Sequence, residues 1–92
     1  MTKYSVTIYV YGRVQGVGFR YHTYRWAKKN KLVGYVRNRD DGSVKIVACG
    51  NDEQIKMLTH WLEQGGPLSA KIEHFRSQLC QAEEMSDFSI RH

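Results

Sequence analysis

Tyr4-Ser5-Val6-Thr7-Ile8-Tyr9-Val10-Tyr11 runs directly into Gly12-Arg13-Val14-Gln15-Gly16-Val17-Gly18 and then Phe19-Arg20. In the first part Val6, Ile8 and Val10 share one face and β-branched or aromatic residues fill most positions, which predicts an interior strand. Gly12, Gly16 and Gly18 punctuate the next seven residues. Beyond them Phe19, Thr23, Trp26 and Ala27 recur at helical spacing, and Asn30-Lys31 closes that helix with the charge its C-terminus favours. The first third of the chain therefore reads strand, glycine-rich turn, helix.

The rest extends the pattern. Leu32 to Asn38 predicts a second strand, Asp40-Asp41-Gly42 a hairpin turn, and Ser43 to Cys49 a third strand antiparallel to the second. Asn51-Asp52-Glu53-Gln54 is a helix start, with Asn51 as cap, Gln54 three residues on and acids in the first turn. Ile55, Leu58 and Leu62 form the buried stripe of this helix, and Gly65-Gly66-Pro67 stops it. A more polar strand follows over Ala70 to Leu79, then a loop over 78–87 and a short final strand at Phe88-Ser89-Ile90. The order is βαββαβ with a short C-terminal extension. It predicts an α+β domain in which both helices cover one face of an antiparallel sheet and the other face stays open.

The chain has 92 residues, 41% hydrophobic and 25% charged. That is one domain spanning 1–92, too small to add a second domain or enclose a large cavity. An active surface must then be shallow and built from loops. A net charge of +5 favours anionic partners without choosing among them. The alternating N-terminal residues offer no apolar block for a signal peptide, and no run approaches a membrane span, so the expectation is a cytoplasmic protein with no membrane partner. Cys49 and Cys80 are too few for a disulfide framework or a zinc site; two thiols in a reducing compartment are expected, with a single bridge between them left open.

A strand entering a glycine-rich turn and then a helix aims successive backbone N–H groups at one point, a concavity that binds anions. Gln15 to Arg20 has this context. The turn lacks the Gly-Lys-Ser/Thr of a nucleotide-triphosphate loop, and Tyr21 replaces the third glycine of a dinucleotide fingerprint. Arg20 falls in the first helical turn, where the macrodipole disfavours a cation by roughly 0.3–1 kcal/mol; a bound anion reverses that penalty. Asn38, at the end of the second strand, offers a donor and an acceptor, although an Asx turn opening the hairpin is what an Asn at a strand end usually makes, and on the residue alone that reading prevails. His22, His60, His74 and His92 show no metal-ligand spacing, Asp40, Asp41, Asp52 and Glu53 are explained by a turn and a helix start, and Trp26 and Trp61 sit at core spacing.

Gly12-Arg13-Val14-Gln15-Gly16-Val17-Gly18-Phe19-Arg20 resembles the first signature of the acylphosphatases. Gly34-Tyr35-Val36-Arg37-Asn38-Arg39-Asp40-Asp41-Gly42-Ser43-Val44 with Gly50 resembles the second. The likeness continues through Gly65-Gly66-Pro67, Ala70-Lys71-Ile72-Glu73 and Phe88-Ser89-Ile90-Arg91. It implies a ferredoxin-like fold and hydrolysis of the carboxyl-phosphate bond of acyl phosphates without metal or cofactor. By position it implies that Gln15, Gly16, Val17, Gly18, Phe19 and Arg20 hold the substrate phosphate, or inorganic phosphate or sulfate, and that Asn38 orients the attacking water. Arg39 after Asn38 and the unusually basic first helix are the departures, and they bear on substrate preference rather than on catalysis. The same domain occurs within larger maturation proteins, but this chain ends with the domain, and a free-standing monomeric enzyme is the expectation. An RNA-recognition domain shares the βαββαβ order; because Ser43 to Cys49 carries no Phe or Tyr to stack bases, no nucleic-acid partner is expected. A bare anion-sensing domain is the other alternative, separable by turnover.

Overall fold

The computed structural model describes residues 3–81 and 85–92. In chain order the elements are β1 (Tyr4–Arg13), α1 (Phe19–Lys29), β2 (Val33–Asn38), β3 (Val44–Gly50), α2 (Asp52–Glu63), β4 (Lys71–Cys80) and β5 (Phe88–Arg91). The strands form one sheet in the order β4-β1-β3-β2-β5. This is the expected ferredoxin-like α+β architecture. One face of the sheet carries Val6, Ile8, Val10, Val36, Val44, Ile46 and Ala48, all buried against Phe19 and Ala27 of α1 and Leu58 and Leu62 of α2. Trp26 and Trp61 stack on each other with centroids 5.1 Å apart, packing as their spacing predicts.

Two details depart from the sequence reading. The sheet is mixed rather than antiparallel, because β5 runs parallel to β2. Topology leaves no alternative: β1, β3 and β2 alternate in direction and β4 opposes β1. A strand that reverses after β4 therefore arrives at the far edge aligned with β2. Strand β4 also continues through Cys80, one residue past the strand read from the sequence, so positions 78 and 79, given to both strand and loop there, belong to the strand. Positions 82–84 of that loop lie outside the described residues.

Cys49 and Cys80 are free and pair in register with opposite sides of Ser5. Two strand spacings, roughly 10 Å, separate them, beyond the ~7 Å Cα limit for a disulfide. Among the described residues no helix is long and apolar enough to cross a membrane.

The β2–β3 pairing is closer than side chains normally allow. Gly34 has φ 143°, and a Cβ built there would lie 1.9 Å from the Val47 carbonyl oxygen. Only glycine fits, and its fit keeps β2 flush against β3 up to Asn38.

Candidate active site

α1 and α2 begin in opposite ways. At α2 the Asn51 side chain accepts from the Gln54 N–H while the Gln54 side chain accepts from the Asn51 N–H, and Asp52 and Glu53 occupy the first turn. That is a complete capping box with charges matched to the dipole. At α1 the N-cap is Gly18 in the left-handed region at φ 78°, with no side-chain cap and no acid in the first turn. The backbone N–H groups of a first turn lack intrahelical partners. Here they face an opening instead of a cap, the geometry that binds anions.

The loop between β1 and α1 is held rigidly at both ends and in the middle. Val14 and Phe19 are each 1% exposed and anchor it in the core. Between them Gln15 Nε2 donates to the carbonyls of Arg39 and Ser43, both at 2.8 Å, tying the loop to the β2–β3 hairpin. Gly16 adopts φ 74°, so the chain curls through two left-handed glycines, with Val17 between them packed against the core.

A concavity of about 310 Å³ opens at this point, lined by Val14, Gly16, Gly18, Phe19, Arg20, Tyr21, Asn38, Ile90 and His92. No Asp or Glu side chain lines it. Arg20 is half-buried, and its Nη1 lies 3.4 Å from the Arg91 carbonyl oxygen and 3.3 Å from His92 Nδ1. Among the described residues no acid forms an ion pair with it. Asn38 enters from the end of β2, opposite Val44 on the helix-facing side. Its Oδ1 is buried without a hydrogen-bond partner.

Asn38 does not make the Asx turn that would otherwise explain it. Asp41 performs that role: its Oδ1 accepts from the Ser43 N–H at 2.9 Å and from the Ser43 hydroxyl. The Ser43 hydroxyl and amide, with Arg39 nearby, hold the Asp41 carboxyl below its ordinary value. Asn38 is left with an unused acceptor in the concavity.

Of the residues singled out in the sequence, Gly16, Gly18, Phe19, Arg20 and Asn38 line one opening, although Arg20 and Asn38 are 18 positions apart in the chain. Gln15 and Val17 belong to the same loop but not to the lining, and the Gln15 side chain is spent on the hairpin. Ile90 and His92 join the site without any local signal, since only the parallel pairing of β5 with β2 brings them there. Among the described residues no cluster of His, Cys, Asp or Glu has the makings of a metal site.

The acylphosphatase family model matches residues 6–90. Over all 92 residues the chain is 67% identical to an acylphosphatase of Photorhabdus laumondii subsp. laumondii, with both chains covered completely. Among solved structures it is similar to an acylphosphatase from Coxiella burnetii, at 36% identity and a TM-score of 0.90 over 97% of this chain and 93% of that one. The acylphosphatase from Bacillus subtilis gives 38% identity and a TM-score of 0.88, covering 97% and 99%.

Proposed function

Because the chain belongs to the acylphosphatase family and hydrolyses acyl phosphates, we propose that the bare N-terminus of α1 and Arg20 hold the phosphoryl group while Asn38 orients the water, with no metal. The observation that supports this most directly is the buried, unpartnered Asn38 Oδ1 in the same concavity as the uncapped helix start. A buried acceptor without a partner costs about 1–3 kcal/mol. A water donating one O–H to Oδ1 removes that cost and points its oxygen into the opening.

The chemistry then needs little else. The loop amides and the Arg20 guanidinium match phosphoryl oxygens, and no Asp or Glu side chain lines the opening to repel the dianion. Water oxygen attacks phosphorus in line, the bond to the acyl oxygen breaks, and a carboxylate departs with the electron pair. One proton of the attacking water passes to a phosphoryl oxygen, so the products are carboxylate and dihydrogen phosphate. A carboxylate leaves without protonation, so no general acid is needed. Positioning and electrostatic stabilisation carry the rate. The free thiols Cys49 and Cys80 suit a reducing cytoplasm, and we place a monomer there.

The test is turnover of an aryl acyl phosphate in excess chelator. Full activity is expected, together with poor hydrolysis of phosphate monoesters, whose alkoxide leaving group needs a positioned general acid, a role this mechanism gives to no residue. Activity lost to chelator and restored by a divalent ion would overturn the metal-free mechanism.

A further inference from the structure

The sheet face turned away from the helices carries a pattern that acyl phosphate hydrolysis does not use. The registers Tyr9↔Arg76, Tyr9↔Lys45, Arg37↔Lys45 and Arg37↔Arg91 place five residues in one row across all five strands. From β4 to β5 the row reads Arg76, Tyr9, Lys45, Arg37, Arg91. Three cations stand side by side on β3, β2 and β5, an arrangement that is destabilising when like charges lie directly opposite. Among the described residues none of the four forms an ion pair with a carboxylate.

Tyrosine rings back the cations of the row, and Arg39 beside it also pairs with Asp41 at 3.4 Å. The Arg91 guanidinium lies 4.0 Å from the centre of the Tyr35 ring, with Lys45 Nζ at 5.8 Å from the same ring. Arg39 and Arg76 lie 4.5 and 5.6 Å from the Tyr9 ring. A ring quadrupole holds a cation in place without cancelling its charge. The face is thus both cationic and lined with flat groups, and a concavity of about 400 Å³, larger than the one at the glycine loop, opens on it, lined by Tyr9, Arg37, Arg39 and Lys45 and by the turn acids Asp40 and Asp41.

We infer that this open face binds single-stranded nucleic acid, with phosphates along the row Arg76, Lys45, Arg37, Arg91 and bases stacked where Tyr9 and Tyr35 back the guanidinium planes. The row spans four strand spacings, roughly 19 Å, too long for one small phosphorylated metabolite and suited to a chain of regularly spaced anions. Tyr35 is itself buried beneath Arg91, so a base there stacks on the guanidinium plane, and such flat groups favour unpaired bases over a duplex, whose bases are already stacked. Such binding reverses the expectation drawn from the sequence, where the lack of aromatic residues on β3 counts against a nucleic-acid partner. Lys45 of β3 lies between the tyrosine-bearing strands β1 and β2, which supply the rings.

The experiment is fluorescence anisotropy of a labelled oligouridylate of about 12 nucleotides with the full chain, in saturating inorganic phosphate so that the glycine loop is filled. Binding should weaken with salt at a logarithmic slope of roughly −3, about −0.7 for each of four phosphates neutralised. Arg37→Ala/Lys45→Ala should weaken binding at least tenfold and reduce the slope by about 1.4, with acyl phosphate hydrolysis unchanged. Arg25→Ala/Lys29→Ala removes the same charge from α1 and should leave binding intact. The inference fails if the α1 variant loses as much affinity as the sheet variant, or if the oligonucleotide does not bind at low salt. It also fails if a duplex of equal length, inorganic polyphosphate or polyglutamate binds as tightly as the single strand.

Discussion

Asn38 and Thr23 each bury an oxygen without a partner, and only one of them lines the concavity. This contrast makes the pair a test of the role proposed for Asn38. Asn38→Ala should abolish turnover while binding of inorganic phosphate stays close to wild type. A group that acts only in the transition state lowers kcat and kcat/KM together, whereas a lost ground-state contact raises KM. A folded Asn38→Ala enzyme with wild-type kcat would end the assignment. Thr23, fully buried on the inner side of α1, should behave in the opposite way. Thr23→Val keeps the shape and removes the unpaired hydroxyl, so it is expected to leave activity unchanged and hold or raise stability by up to about 1 kcal/mol in urea unfolding. A loss of more than that would show that the hydroxyl has a partner in solution.

At the level of elements, the β2–β3 hairpin carries both the site and a pH signature. Asp41 holds the turn through Ser43, and its carboxyl sits below the ordinary value chiefly because of the Ser43 hydrogen bonds. A carboxyl lowered in the folded state stabilises the fold above its unfolded pKa, and this contribution disappears as pH falls through the folded value. Asp41→Asn keeps an acceptor and loses the charge. The urea midpoint of wild type should therefore exceed that of the variant at neutral pH, and the gap should close in acid; a gap independent of pH would assign the turn to hydrogen bonding alone. This hairpin also shows what was legible in the sequence. Asp40-Asp41-Gly42 announced the turn, and the capping box of α2 was readable from Asn51 and Gln54, because both depend on neighbours within a few residues. What Asn38 does was not locally readable. The Asx turn was assigned by geometry to Asp41, three residues later, and Asn38 acquired its exposure to the loop only through the pairing of β2 with β3. The continuation of β4 to Cys80 and the parallel placement of β5 were equally hidden, since polar edge strands carry little alternation and direction is set by the whole sheet.

On the scale of the whole molecule, the proposed phosphate site would link ligand binding to the stability of the fold through Arg20. Without a ligand, a cation in the first turn of α1 opposes the helix dipole by roughly 0.3–1 kcal/mol, and among the described residues no acid offsets it. Arg20→Ala should therefore leave the unliganded protein as stable as wild type or slightly more so. Phosphate changes the order. A ligand that binds only the folded state stabilises it by about 2.7 kcal/mol at 100 times its dissociation constant. For a domain of this size each kcal/mol moves Tm by roughly 4–8 °C, so wild type should rise by about 10–20 °C. Arg20→Ala should show little of this rise and lose at least about 10²-fold in kcat/KM, as for one transition-state donor; Asn38→Ala should keep the rise. Thermal unfolding of the three proteins with and without phosphate makes the comparison in one experiment. Equal protection of wild type and Arg20→Ala would place the anion away from the glycine loop. Loss of protection in Asn38→Ala would mean that its amide holds the phosphoryl group rather than the water.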